Sequence, residues 1–170
     1  AVSMLVSLGI IEGKPDGSYA PTENVDRAQM AKMLSVIMNK GVDNSALYQS
    51  VNSGLTDITS NWAKGHINYC YTTGIIAGRG NGKFDPSATV TALEAAKMLL
   101  VAVGYDPKIE GFEGADWAIN VSVRADEQGI FEGFTKDLSA PLNRDDAALL
   151  IYNALDVEMI QSYTTNNYPI

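Results

Sequence analysis

The sequence predicts an all-α fold assembled from three copies of one helix–loop–helix unit. Two observations carry this reading. "GIIEGKPDGSYAPTENVDRAQMAKML" (Gly9 to Leu34) aligns without a gap on "GIIAGRGNGKFDPSATVTALEAAKML" (Gly74 to Leu99), and a looser copy, "GIFEGFTKDLSAPLNRDDAALLI", runs from Gly129 to Ile151. Upstream, Trp62-Ala63 precedes Gly74 by the interval at which Trp117-Ala118 precedes Gly129. Self-similarity of this kind marks a repeat architecture. A two-helix unit cannot bury its apolar face alone, so the copies must pack on one another. The units are placed at 1–41, 55–104 and 105–155, with a connector at 42–54 and a tail or linker at 156–170. The first copy lacks the Trp-containing start, and the third keeps Pro141 but loses three residues before Leu142.

Each element has a local cause. The first helix of a unit is "NWAKGHINYCYTTG" in copy two and "DWAINVSVRADEQG" in copy three. Asn61 and Asp116 are candidate N-caps, and Gly74 and Gly129 suit the left-handed position just past a helix end. Alignment stacks Ala1, His66 and Val121 in one column and Leu5, Cys70 and Ala125 in another. Columns four apart share a helix face, so this face points inward. Turns are expected at Asp16-Gly17 and Asn81-Gly82, followed by Pro21, Pro86 or Pro141, which discourage helix until the next cap. The second helices then open at Asp26, Thr91 and Asn143, with Gln29, Glu94 and Asp146 three residues on as capping partners. Their inward stripes are Met30, Met33, Leu34 and Ile37; Ala95, Met98, Leu99 and Ala102; and Ala147, Leu150, Ile151 and Ala154.

Composition removes several functions. A formal net charge of −8 argues against a general nucleic-acid binder, which needs a basic face. No apolar run reaches the ~18–20 residues that cross a bilayer, so no membrane insertion is expected, and the first ten residues do not read as a signal peptide. The single cysteine, Cys70, excludes an internal disulfide framework and a cysteine-based zinc site. His66 and Cys70 stand four apart, yet their columns hold Ala, Val and Leu elsewhere, which makes both core positions; without a second histidine no triad can be assembled, and no enzyme activity or cofactor is expected. A calcium loop is also rejected. Centred on Gly17 it would use Glu12, Lys14, Asp16 and Glu23, and centred on Gly82 it would use Ala77, Arg79, Asn81 and Ala88, and both sets fail on charge.

Arg27 poses the sharper question, because a cation in the first turn of a helix opposes the macrodipole. Ala92 occupies the same place in copy two, so capping does not require it. Arg27 and Arg144 beside helix N–H groups make a corner able to hold a carboxylate in a bidentate grip. The competing reading is a surface ion pair with nearby acids, Asp145 and Asp146 in the case of Arg144. Trp62 and Trp117 read first as rings wedged between repeats, and Gly13, Gly78 and Gly133 as turn glycines.

The ordered set "LTDITSNWAKGHI", "GIIAG", "GKFDP" and "TALE" between Leu55 and Glu94 resembles the S-layer homology (SLH) domain of bacterial surface proteins. The resemblance covers roughly residues 1–155. It implies a pseudo-threefold helical bundle located outside the cell, at the bacterial cell wall. It implies non-covalent attachment to a secondary cell-wall polysaccharide, often pyruvylated, with Arg27 and Arg144 lining inter-repeat grooves and pairing with the sugar's carboxylate. By the same resemblance Gly13, Gly78 and Gly133 border the grooves. Trp62 and Trp117 have a second reading of their own, as rings that stack against a sugar face. The groove that depends on Ala92 is expected to be weak or unused. Arg27→Ala is then expected to weaken binding with little loss of stability. The alternative is a protein–protein module that assembles with other S-layer subunits and has lost its sugar sites.

Overall fold

The computed structural model describes residues 1–7, 9–13, 16 and 18–170; Lys14 and Gly17, part of the calcium and turn readings, lie outside them. Among the described residues seven helices follow in order: α1 (Val2–Ser7), α2 (Arg27–Met38), α3 (Ser45–Tyr48), α4 (Lys64–Thr72), α5 (Ala92–Val103), α6 (Trp117–Glu127) and α7 (Arg144–Ala154). The described residues contain isolated β-bridges but no strand. The fold class is all-α, as the repeats predict.

Three copies alone do not dictate how they meet; the helix contacts do. The second helix of each copy packs on the first helix of the next: α2 on α4, α5 on α6, and α7 back on α1. The third contact closes a cycle. At its centre lie the equivalent residues Val25, Val90 and Leu142, one from each copy and all buried. Val25 N–H donates to the Leu142 carbonyl (2.9 Å), Leu142 N–H to Val90 (2.7 Å), and Val90 N–H to Val25 (3.0 Å). Each bond contributes a modest ~0.5–1.5 kcal/mol net, but leaving such a buried group unpaired costs about 1–3 kcal/mol. A ring of this kind is the pseudo-threefold axis in hydrogen-bonded form.

The ring also corrects the alignment of copy three. The bridges Asp26↔Thr89, Thr91↔Pro141 and Asn143↔Asn24 make Pro141 the counterpart of Asn24 and Thr89, not of Pro21 and Pro86. Leu93 N–H donates to Leu138, whereas Ala28 N–H donates to Pro86 and Asp145 N–H to Pro21. Leu138 therefore takes the role of those prolines. The three missing residues fall earlier in the loop, between Gly129 and Leu138.

The predicted stripes are buried, with Ile37 half-buried, and Leu5, Cys70 and Ala125 form a fully buried column. Ala1 is exposed, unlike His66 and Val121. All three second helices have the expected N-cap, and two of them the expected reciprocal partner. Asp26 with Gln29 and Thr91 with Glu94 form reciprocal boxes. Asn143 accepts from the Asp146 N–H, but the shorter Asp146 side chain pairs with Lys136 instead. The first helices start differently. Asn61 accepts from the Ala63 N–H (2.9 Å) in a turn ahead of α4, which leaves Trp62 outside the helix, and Asp116 makes no side-chain cap. Asn81 (φ 53) and Gly82 (φ 71) form the expected tight turn, and Asp57 ties that loop down by accepting from Phe84 and Asp85 N–H.

Residues 156–170 fold back rather than trail away. Ile160 N–H donates to Val103 (2.9 Å), and the Tyr163 hydroxyl accepts from Asp106 N–H (2.8 Å) while meeting Glu110 Oε1 (3.0 Å). Gly104, at φ 114, permits this; a Cβ there would sit 2.5 Å from the Ile160 carbonyl oxygen.

Candidate functional site

Both arginines begin their helices by reaching into the neighbouring copy. Arg27 donates from Nε to the Phe84 carbonyl (2.8 Å) and from Nη2 to Ala77 (2.6 Å), with its guanidinium 4.5 Å from the Phe84 ring centre. Arg144 repeats the pattern on Tyr19 (2.8 Å) and Glu12 (2.8 Å), 5.0 Å above the Tyr19 ring. Tyr19 corresponds to Phe84 and Glu12 to Ala77 in the repeat alignment. Each arginine is thus a staple across a repeat junction. Neither forms an ion pair with an acid among the described residues, so both keep their charge uncompensated by direct contact.

Two expectations change here. The helix N–H groups beside the arginines are not open to an anion: Arg27 N–H donates to Ala88 and Ala28 N–H to Pro86, while Arg144 N–H donates to Glu23. Nor is Arg27 a dispensable surface group, since it is only 4% exposed. Burial, with Arg79 nearby adding to it, lowers its pKa to about 10, which leaves it charged at neutral pH.

Each arginine nevertheless forms a wall of a cleft. The Arg27 groove, about 550 Å³, brings together Arg27 of copy one, Gly78 and Lys97 of copy two and Trp117 of copy three. The Arg144 groove, about 450 Å³, brings together Arg144 of copy three, Gly13 and Lys32 of copy one and Trp62 of copy two. The two sets are related by the repeat, so the same four residue types recur from three different copies each time. The remaining junction holds Ala92, fully buried, in place of the arginine and Leu149 in place of the lysine. Gly133, in the left-handed region at φ 79, lines neither groove; a Cβ there would stand 3.8 Å from the Leu149 side chain.

Trp62 is 60% exposed, so packing between repeats does not account for it. Trp117 is half-buried against the core, with the Lys97 ammonium 6.0 Å from its ring centre. Gly13 and Gly78 are not in the left-handed region. At Gly78 a Cβ would stand 3.1 Å from both the Lys83 carbonyl oxygen and the Tyr71 ring, so glycine keeps this part of the groove thin. Lys32 and Lys97 were not singled out by sequence reasoning. Their signal was the shared Ala-Lys-Met-Leu, in which a lysine recurs beside an otherwise buried stripe.

The chemistry offered is a guanidinium fixed by two carbonyls, an ammonium and an aromatic face around a partly apolar floor. In the Arg27 groove Arg79 meets Glu94 at 3.4 Å, and burial lowers the Lys97 pKa against the opposing pull of Glu113. In the Arg144 groove Lys32 is bound by Glu12 at 2.6 Å. Each cleft thus concentrates positive charge on an acidic molecule. His66 and Cys70 take no part: His66 Nδ1 lies 2.5 Å from Ser35 Oγ inside the α2–α4 junction, and burial raises the Cys70 pKa.

Comparison with known proteins places this architecture. Residues 1–31 and 54–96 match the family described as the S-layer homology domain. A cell surface protein of Thermoanaerobacter kivui is 31% identical over 162 residues, 95% of this chain and 20% of the relative. A middle cell wall protein of Brevibacillus brevis is 28% identical over 161 residues, 94% of this chain and 15% of its own length. An S-layer protein of Bacillus licheniformis is 32% identical over 111 residues, 65% and 12% of the two chains. The chain thus spans a fifth or less of the length of these relatives.

Proposed function

With the two matched segments belonging to the S-layer homology family, we propose that the chain is the wall-anchoring part of a bacterial cell-surface protein. It holds on non-covalently by binding acidic, pyruvylated secondary cell-wall polysaccharide in the Arg27 and Arg144 grooves. The observation that supports this most is the recurrence of arginine, lysine, glycine and tryptophan in each groove, drawn from three copies each time. A sugar carrying a carboxylate needs such a pairing: an aromatic face for its C–H surface and cations for its charge. The chain's overall acidity does not oppose it, because screening confines the field to about 10 Å and a groove focuses what remains. Two sites on one chain add avidity on a repeating polymer. The Ala92 junction, without either cation, is not a binding groove. The module itself performs no catalysis.

The test is retention on purified wall sacculi. Replacing Lys32 and Lys97 together by alanine removes the ammonium groups and leaves the arginine staples intact. Retention falls at least about tenfold, while the thermal midpoint moves by a few degrees at most. Unchanged retention overturns the reading. Equal retention of the parent chain on sacculi stripped of polysaccharide favours the alternative, assembly with other S-layer subunits.

A further inference from the structure

The two grooves differ at one position in a way that separates their strengths. Lys97 and Lys32 are equivalents, and each lines its groove. Lys97 makes no direct ion pair among the described residues, whereas Lys32 Nζ lies 2.6 Å from Glu12 Oε2. The residue equivalent to Glu12 in the Arg27 groove is Ala77, which is exposed and carries no charge. Glu12 is 65% exposed, so solvent rather than burial surrounds it, and it too lines the cleft. Its backbone carbonyl accepts from Arg144, as that of Ala77 accepts from Arg27. The backbone role is therefore shared, and a carboxylate bonded directly to the groove lysine is found in the Arg144 groove only; the acids that line the Arg27 groove are Glu94, paired with Arg79, and Glu113, which makes no ion pair with Lys97.

We propose that Glu12 is an affinity-setting residue that occupies the ammonium of the Arg144 groove as an internal stand-in for a ligand's carboxylate. This rests on the reading of both grooves as acidic-sugar sites. An incoming carboxylate must displace Glu12 from Lys32 and then tolerate it as a neighbouring like charge. The Arg27 groove imposes no such exchange at Lys97, because Glu94 is held by Arg79 and Glu113 acts on the ammonium only at longer range, so it fills first. The exchange is modest, since an exposed pair is worth at most about 1 kcal/mol, or about fivefold in affinity.

The two tryptophans report the grooves separately, because Trp117 lines one and Trp62 the other. The full chain, labelled with ¹⁵N, is titrated with a methyl hexoside bearing a 4,6-ketal of pyruvate, and both indole N–H signals are followed. The methyl ester of the same glycoside serves as the uncharged control. In the parent chain the Trp117 curve saturates at lower probe concentration than the Trp62 curve. Glu12→Gln, which keeps the backbone carbonyl and nearly the same shape, tightens the Trp62 curve about three- to fivefold and leaves Trp117 unmoved. Ala77→Glu weakens the Trp117 curve by a similar factor. Shifts at both indoles with no response to either substitution overturn the role of Glu12 and leave the sugar-site reading standing. No shift at either indole, or equal shifts with the ester, overturns both.

Discussion

Two of the three repeat junctions carry an arginine staple, and the third, at Ala92, does without one. The backbone ring through Val25, Val90 and Leu142 runs through all three alike. The difference teaches that closure of the bundle belongs to the main chain and to apolar packing, while the charges are superimposed at two places. Where the guanidinium is present, however, the neighbouring loop has been built around it. The Phe84 carbonyl it holds is buried with it, so its removal leaves that acceptor unpaired.

Breaking the common part should cost most. Val90→Pro deletes the N–H that donates to Val25 and should destabilise by about 3 kcal/mol or more in urea unfolding; a loss below ~1 kcal/mol would show that the ring is incidental. Arg27→Ala comes next, at about 2–3 kcal/mol, because it takes a charge-assisted partner from a buried loop carbonyl. Arg144→Ala should cost less, about 1–2 kcal/mol, since Arg144 is only half-buried and water can replace it. Equal costs at the two sites would remove burial as the explanation. Smaller still for stability is Lys97→Ala, within about 0.5 kcal/mol, although it should abolish the response of the Trp117 indole to the acidic glycoside.

The mildest effect is a pH dependence confined to one junction. His66 stands on α4 where it meets Ser35 of α2, at a position held by Ala1 and Val121 in the other copies. Burial holds its pKa below the usual value, with Asp43 opposing that shift and Lys32 adding to it. The unfolded chain therefore takes up the proton more readily than the folded one, so stability falls as pH drops through about 6.5. In His66→Gln that slope should flatten, as measured by urea midpoints between pH 7.5 and 5.5.

The repeats, the caps and the inward stripes were legible because each depends on residues close together in sequence. Asp26 and Gln29, or Gly74 behind α4, need no knowledge of the rest of the chain. What escaped was set by contacts between copies. The arginines look surplus to capping and are staples, Arg27 buried and Arg144 half-buried, because Phe84 and Ala77 approach Arg27 only when the copies have packed together. The gap in copy three was misplaced since Pro141 imitates Pro21 by identity, and only hydrogen bonding reveals Leu138 as its true counterpart. Residues 156–170 looked like a tail by composition, and the anchor that holds them, Tyr163 on Asp106 and Glu110, lies more than fifty positions away.

The closed cycle of α2 on α4, α5 on α6 and α7 on α1 leaves no expendable member. An open array of repeats can lose an end unit and keep the remainder folded, but excising any copy here would strip partners from both survivors at once. Melting of this domain should accordingly be a single all-or-none event, and a two-copy fragment should behave as a denatured chain rather than a weaker binder.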